Sequence, residues 1–264
     1  MNEKNFEYLK DQVKYTGFGE AIENDLKEKL KLQSDSFTLR HDAFYGNDRA
    51  AAELNFKKSD NSNMYFFNSY KLELQKDTSN EVLQQTFYVN KGSTITMKEA
   101  YNLMDGRAVN KDLTNKEGNH YAAWIQIDFK NVDNAGNFKL KQYHQNYGFD
   151  LENALSKHPI KELETPKYKE DLINSLKKGN LQSVTFLKDG VEQKHFIEAN
   201  PQFKAITVYD SKMQRVDTGL TKKEKESFEE KHSNSQNVKT QKTESNDQPE
   251  IPSEKKKRTK KLSM

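Results

Sequence analysis

Hydrophobic residues near the start of the chain recur with helical spacing. Phe6, Leu9 and Val13 stand three and four residues apart, and the residues between them are mostly polar. After two glycines, a similar spacing continues over residues 22–30. Positions spaced in this way lie on one face of an α-helix. The pattern therefore predicts two amphipathic helices that the glycines separate.

Alternation of apolar and polar residues predicts strands along most of the remaining chain. The clearest case is residues 64–74, where we expect Met64, Phe66 and Tyr70 to share the buried face. Trp124 has the opposite parity from its apolar neighbours, which favours a strand covered on both faces over one that offers a partner surface. Further strands are predicted at residues 37–40, 51–56, 83–89, 123–129, 138–143, 183–187, 194–199 and 203–209.

Three later helices carry start and stop signals. Residues 96–99 fit the capping box, in which a Thr and a Glu satisfy each other's backbone amides. Asp150 can cap a short helix, and Thr165, with a proline directly after it, can begin another. Gly106 and Gly179 are expected to end the first and the last of these helices.

Two parts of the chain share an order of predicted elements. In each, a helix ends at a glycine, and a second glycine follows ahead of a predicted strand; a polar stretch precedes this second glycine in the first part, and a strand precedes it in the second. Gly106 and Gly118 are 12 residues apart, and Gly179 and Gly190 are 11 apart. A helix–Gly–hairpin unit used twice would explain this similarity, and so would chance, because such joins are common.

These patterns together predict an α+β fold, mostly of antiparallel sheets with packed helices. We divide the chain into an N-terminal α+β region at residues 1–92, a C-terminal α+β region at 93–215 and a disordered basic tail at 216–264. The apolar pattern ends near Arg215, and residues 233–252 are rich in Ser, Asn, Gln, Thr, Lys and Glu. Such a composition cannot offset the entropy lost on ordering.

The absence of Cys narrows the range of chemistry. It excludes disulfides, thiolate catalysis and Cys-ligated zinc or iron–sulfur sites. The first ten residues lack the basic and apolar regions of a signal peptide, and no apolar run approaches membrane-spanning length. We therefore predict a cytoplasmic protein that needs no membrane and no small-molecule cofactor.

Positive charge is concentrated at the C-terminal end. From Gly219 onward there are 12 Lys and Arg against 8 Asp and Glu. The preceding part of the chain has 31 Lys and Arg against 32 Asp and Glu and is therefore nearly neutral. A flexible segment of this kind can contact nucleic-acid phosphates through counterion release, and the alternative is a solubilising tail. The cations of this terminal basic cluster are Lys255, Lys256, Lys257, Arg258, Lys260 and Lys261.

No standard catalytic or metal-binding motif is present. The six His residues lack ligand spacing, and the neighbours His41 and Asp42 are more typical of a solvated pair than of a base and its orienting carboxylate. Aromatic residues cluster at residues 65–70, and at residues 139–149 they follow Lys139 and Lys141. They could stack unpaired bases, although aromatic residues on strands chiefly form cores. We therefore predict neither a catalytic residue nor a metal site.

Six strings and the lysine-rich C-terminal end carry a family resemblance. The strings are ITMKEAYNLMDGRAVNKDL at residues 95–113, YAAWIQIDF at 121–129, YHQNYGFDLENAL at 143–155, PIKEL at 159–163, SLKKGNLQSVTF at 175–186 and IEANPQFKAITVYD at 197–210. Together they resemble a family of domains of unknown function from conjugative transposons and plasmids of Bacteroidota, over most of residues 6–215. The resemblance implies a mobile-element setting but no activity, because the family has no established catalytic residues.

The sequence thus leads to three functional hypotheses. The first is a non-enzymatic accessory protein of a mobile element, whose body binds a protein partner and whose basic tail contacts nucleic acid non-specifically. The second is a protein–protein scaffold or anti-defence factor that does not bind nucleic acid. The third is an unrecognised hydrolase or nuclease, which would require Asp, Glu or His side chains to converge in a cleft.

Overall fold

The computed structural model describes residues 2–89, 93–115 and 117–216. Within these ranges no helix combines the length and the apolar character needed to cross a membrane. The predicted tail lies outside the described residues except for Val216. The helices are α1 (Glu3–Val13), α2 (Glu23–Lys31), α3 (Met97–Met104), α4 (Leu151–Ser156) and α5 (Pro166–Lys177). The strands are β1 (Ser36–Tyr45), β2 (Asp48–Lys58), β3 (Tyr65–Gln75), β4 (Val82–Tyr88), β5 (Val109–Thr114), β6 (His120–Val132), β7 (Phe138–His144), β8 (Gln182–Lys188), β9 (Val191–Asn200) and β10 (Ala205–Tyr209).

The strands form three antiparallel sheets, which confirms the predicted α+β class. The first sheet has the order β1-β2-β3-β4, the second β5-β6-β7 and the third β10-β9-β8. Most strands extend beyond the predicted bounds, whereas β10 begins two residues later than predicted, because residues 201–203 form a 3-10 turn. The pattern does not predict strand β5, since its sequence VNKDLT contains only two apolar residues.

The N-terminal helices pack on one face of the first sheet. Phe6, Leu9 and Val13 of α1 are buried there, as the helical spacing predicts. A π-helical turn at Lys14–Phe18, with Gly17 at φ +99°, replaces the predicted break between the helices. Asn5 fixes α1 to the end of β3, because its amide donates to the carbonyl of Tyr65 at 2.9 Å and accepts from that residue's N–H at 2.7 Å.

The predicted inward face of β3 is wrong at its N-terminal end. Met64 and Phe66 are 37% and 45% exposed, whereas Tyr65 and Phe67 are buried. The register with β2 shifts here, and Asn68 is left without a partner in the β2–β3 ladder. One extra residue in a strand reverses the faces of the residues on one side of it. The alternation therefore predicts the buried face correctly only beyond this bulge.

The second sheet lies between two hydrophobic cores. Ile125 and Ile127 of β6 belong to a core shared with the first sheet and helices α1, α2 and α3. Trp124 and Tyr143 point to the opposite side, into a core shared with the third sheet, α4 and α5. Trp124 is only 7% exposed, which confirms that this strand is covered on both faces. The first core also takes side chains from both sides of the predicted boundary between residues 92 and 93.

The two parts of the chain that share an order of predicted elements also share a strand register. Three residues after the glycine that ends α3, Val109 pairs with Ile125. Three residues after the glycine that ends α5, Gln182 pairs with Ile197. The two units therefore enter their sheets in the same register, and the one-residue difference in glycine spacing falls within the hairpin.

The shared order of elements extends beyond the predicted helix and hairpin. In the second sheet, Trp124 pairs with Tyr143 of the third strand, and in the third sheet Phe196 pairs with Tyr209 in the same way. Each unit thus contains a helix, a glycine turn and three antiparallel strands. We call α3 with β5, β6 and β7 the first repeat, and α5 with β8, β9 and β10 the second repeat.

Candidate functional site

The terminal basic cluster lies outside the described residues. Its role in nucleic-acid binding therefore stays a prediction. A candidate site on the body of the protein has to be found from the side chains that the fold brings together.

His41 and Asp42 have separate contacts in the first sheet. They are neighbours on β1, so their side chains point to opposite faces of the sheet. The ring of His41 contacts Phe18 edge-on at 5.6 Å between centroids, and burial lowers the pKa of the imidazole. Asp42 accepts from Arg49 at 2.6 Å on the other face. His41 thus packs against the ring of Phe18, and Asp42 forms an ion pair on the opposite face.

The aromatic runs that suggested a stacking platform mostly form core. Tyr65, Phe67 and Tyr70 are fully buried, and Tyr143 is buried against the second core. Tyr147 is more exposed, but the ammonium of Lys204 lies over its ring, 4.8 Å from the centroid. The core alternative is therefore confirmed for most of these residues.

An open pocket of about 550 Å³ lies where the first sheet meets the two repeats. We call it the junction pocket. Its lining residues come from the end of β1 and the turn after it, from α3 and the segment that follows it, and from the segment that follows α5. The residues that carry its chemistry are Phe44, Tyr45, Lys98, Tyr101, Arg107 and Asn180.

The capping box fixes Lys98 at the edge of this pocket. Thr96 is the N-cap of α3, and its hydroxyl and backbone N–H both pair with Glu99 as predicted. Lys98 is therefore held in the first helical turn. Glu99 faces the other way, where it forms an ion pair with Lys111 at 3.0 Å. The carboxylate of Glu99, which is the nearest to Lys98 in sequence, is therefore already paired with Lys111.

The ammonium of Lys98 lies over two tyrosine rings. Tyr45 and Tyr101 stack with centroids 4.3 Å apart, and the Lys98 Nζ is 4.1 Å and 4.5 Å from those centroids. Such contacts stabilise a cation without neutralising it. Among the described residues, none forms a hydrogen bond or an ion pair with this ammonium. Burial against the rings lowers the pKa of Lys98, and the charge of Arg107 lowers it further.

Arg107 is the second cation of the pocket and is held rigidly. Its Nε donates to the carbonyl of Gly179 at 2.9 Å, and its Nη2 donates to Asn102 Oδ1 at 2.6 Å. Its Nη1 pairs with Asp105, which also pairs with Lys76. These bonds use three of the five guanidinium N–H groups. One carboxylate is therefore shared between two cations. The side chain of Arg107 is 10% exposed, and two of its N–H groups take no part in these bonds.

Behind Arg107, the second repeat contributes a buried acid. Glu198 accepts from the hydroxyl of Tyr209 at 3.0 Å, and burial raises the pKa of its carboxyl. The nearby charge of Arg107 opposes that rise. In the first repeat the matching position is Gln126, whose amide donates to the carbonyl of Gly106 at 2.7 Å. In the second repeat, Arg107 supplies the corresponding bond to the turn carbonyl.

The arrangement offers two close cations, a stacked aromatic pair and an open volume. This chemistry suits an anion that carries, or lies beside, a planar ring. Within the described part of the chain, no group of three or more His, Asp or Glu converges as a metal site would require.

Sequence reasoning missed this site because its residues come from three separate parts of the chain. The available signals were the capping box, which places Lys98 in a first helical turn, and the string at residues 95–113, which contains Lys98, Tyr101 and Arg107. Neither signal indicates that the turn after Tyr45 lies beside them.

Comparison of the chain with protein-family models, with curated proteins and with solved structures finds no match. Function is therefore inferred from the chemistry of the junction pocket and from the charge pattern of the sequence.

Proposed function

We propose that this chain is a non-enzymatic accessory protein of a mobile element that binds nucleic acid, both at the junction pocket and through the terminal basic cluster. The supporting observation is the environment of Lys98. Its ammonium lies over Tyr45 and Tyr101 without an ion-paired carboxylate among the described residues, and beside a second cation, Arg107.

The electrostatics of this pair favour a phosphate. The positive charge of Arg107 repels that of Lys98 and lowers its pKa, and the carboxylate of Asp105, which pairs with Arg107, opposes this repulsion more weakly. An anion placed between them would relieve this repulsion and gain two charge-assisted contacts. Lys and Arg are the side chains that proteins use for phosphate recognition.

Two sequence features support the biological setting. The family resemblance implies a mobile element, where DNA is transferred and processed. The basic cluster adds six positive charges to a chain that is otherwise almost neutral. A protein partner for the body remains part of this proposal, since accessory factors act in assemblies.

The pocket is tested by replacing Lys98. We expect Lys98→Ala to weaken binding of a fluorescent oligonucleotide roughly tenfold, or about 1.5 kcal/mol, because a charged hydrogen bond to phosphate is lost. The slope of log affinity against log salt concentration should fall by about 1. Anisotropy titrations over a range of salt concentrations measure both quantities.

Two further variants make the result specific. Lys29→Ala removes an exposed lysine of α2, far in sequence from the pocket, and should bind as the parent does. Lys98→Arg keeps the charge and should retain most of the affinity. If Lys98→Ala and Lys29→Ala bind equally well, the pocket has no role in binding. Co-purification of protein without any nucleic-acid affinity would favour the scaffold hypothesis instead.

A further inference from the structure

We infer that the junction pocket receives one unpaired nucleotide, with its phosphate at Lys98 and Arg107 and its base against the ring of Phe44. This inference rests on the proposed function and names the ligand class of that site. The decisive additional feature is Phe44, which lines the pocket and is 68% exposed.

The position of Phe44 is set by the first hairpin. It is the second-last residue of β1 and pairs with Arg49 across the strands, so it lies on the outer face of the sheet. The next residue, Tyr45, points inward and forms the stacked pair below Lys98. Gly46, at φ +64°, turns the chain immediately afterwards. The hairpin end thus holds one aromatic ring inside the pocket wall and one at its rim.

The ring of Phe44 is free to stack on a ligand. No ring contact or cation–π contact involves it within the described residues. The guanidinium of Arg49, its cross-strand neighbour, is bound by Asp42 at 2.6 Å and does not cover it. A large exposed aromatic side chain beside two cations is the combination that single-strand binders use, because every base has a face that can stack.

The volume of the pocket is sufficient for one nucleotide. A volume of about 550 Å³ is in the range of small-molecule pockets, at roughly 300–1,000 Å³. In a duplex the base is paired and stacked between its neighbours, so it cannot lie on Phe44 while its phosphate meets Lys98. The ligand is therefore either a free nucleotide or one nucleotide of a single strand.

The test compares two exposed phenylalanines on the same face of the first sheet. Phe66 is 45% exposed and pairs with Lys57 on β2, away from the pocket. We expect Phe44→Ala to weaken binding of an oligothymidylate of about 12 nucleotides by roughly 5- to 150-fold, the usual cost of losing one stacked base. Phe66→Ala should leave the affinity unchanged. Thermal unfolding checks that both variants are folded.

Two other probes distinguish the source of the nucleotide. Thymidine monophosphate that binds with the same dependence on Phe44 would identify a free nucleotide as the ligand. Binding of the oligothymidylate alone would identify a single strand. A duplex of equal length should bind Phe44→Ala as well as it binds the parent.

The outcomes separate this inference from the proposed function. If Phe44→Ala and Phe66→Ala bind alike while Lys98→Ala binds weakly, the base does not stack on Phe44, and the phosphate site alone stands. If duplex binding depends on Phe44 as strongly as single-strand binding does, the inference is also wrong. If none of the three substitutions matters, the junction pocket fails as a binding site altogether.

Discussion

Gly179 is needed for both its backbone conformation and its small size. Its φ of +77° lies in the left-handed region that residues with a side chain rarely adopt. A Cβ atom there would lie 2.8 Å from Val109 Cγ2 and 2.9 Å from the carbonyl oxygen of Ala108. The same residue's carbonyl receives the bond from Arg107. The two repeats thus meet at a point where only glycine fits.

A matched pair of glycines separates the two requirements. Gly190 has nearly the same φ, +75°, but a Cβ atom added there would have no neighbour within 4 Å beyond the adjoining residues. We expect Gly190→Ala to reduce the free energy of unfolding by about 1–2 kcal/mol from backbone strain. Gly179→Ala should cost about 1–3 kcal/mol more, because the contact with the first repeat must open. Urea denaturation measures both, and equal losses would contradict close packing at Gly179.

The start of α3 is the element that most affects the pocket, since it positions Lys98. Its N-cap, Thr96, makes the reciprocal hydrogen bonds of a capping box. The N-cap of α5, Thr165, has the same residue type but makes no side-chain capping bond. The chain therefore contains its own control for the contribution of a cap.

We expect Thr96→Ala to lower the free energy of unfolding by about 0.5–2 kcal/mol, because an N–H of α3 loses its acceptor. Thr165→Ala should cost only a few tenths of a kcal/mol, since no such bond is lost. Denaturation of both variants under one set of conditions provides the comparison. A loss at Thr165 as large as that at Thr96 would show that the hydroxyl bond does not stabilise α3.

At the scale of the whole molecule, the charge of the chain is divided unevenly between body and C-terminal end. The positive excess follows Gly219, whereas the preceding residues are nearly balanced. If the terminal basic cluster contacts phosphates, it should dominate the salt dependence of binding, and the junction pocket should contribute about one contact.

Removal of residues 253–264 tests this division. We expect the chain that ends at residue 252 to bind duplex DNA more weakly, with a salt slope smaller by up to about 5 units of log affinity per log salt concentration, as six lost phosphate contacts predict. A full-length chain with Gln at the six basic positions should behave in the same way, which separates charge from length. Equal affinity of the full and shortened chains for duplex and single-stranded DNA would reject a role for the cluster.

Local interactions can be predicted from the sequence because they join residues a few positions apart. The helical spacing of Phe6, Leu9 and Val13, the capping box at Thr96 and the glycine that ends α3 are all found in the structure. The repeated glycine spacing likewise marks two helices that end at a glycine and lead into hairpins of similar register. The alternation of apolar and polar residues fails to predict the buried face of β3 before Asn68, because this residue has no partner on β2 and reverses the faces of the residues before it.

The sequence by itself therefore determined the type of most elements, the repeat and the uneven distribution of charge, since each depends on near neighbours or on composition. Tertiary structure decided which strands are covered on both faces and where the junction pocket lies. The bond from Tyr101 to Asp48 joins residues 53 positions apart, and the bond from Asn102 to Asn180 joins residues 78 apart. Contacts over such separations follow from how sheets and helices pack, and a single sequence pattern does not encode them.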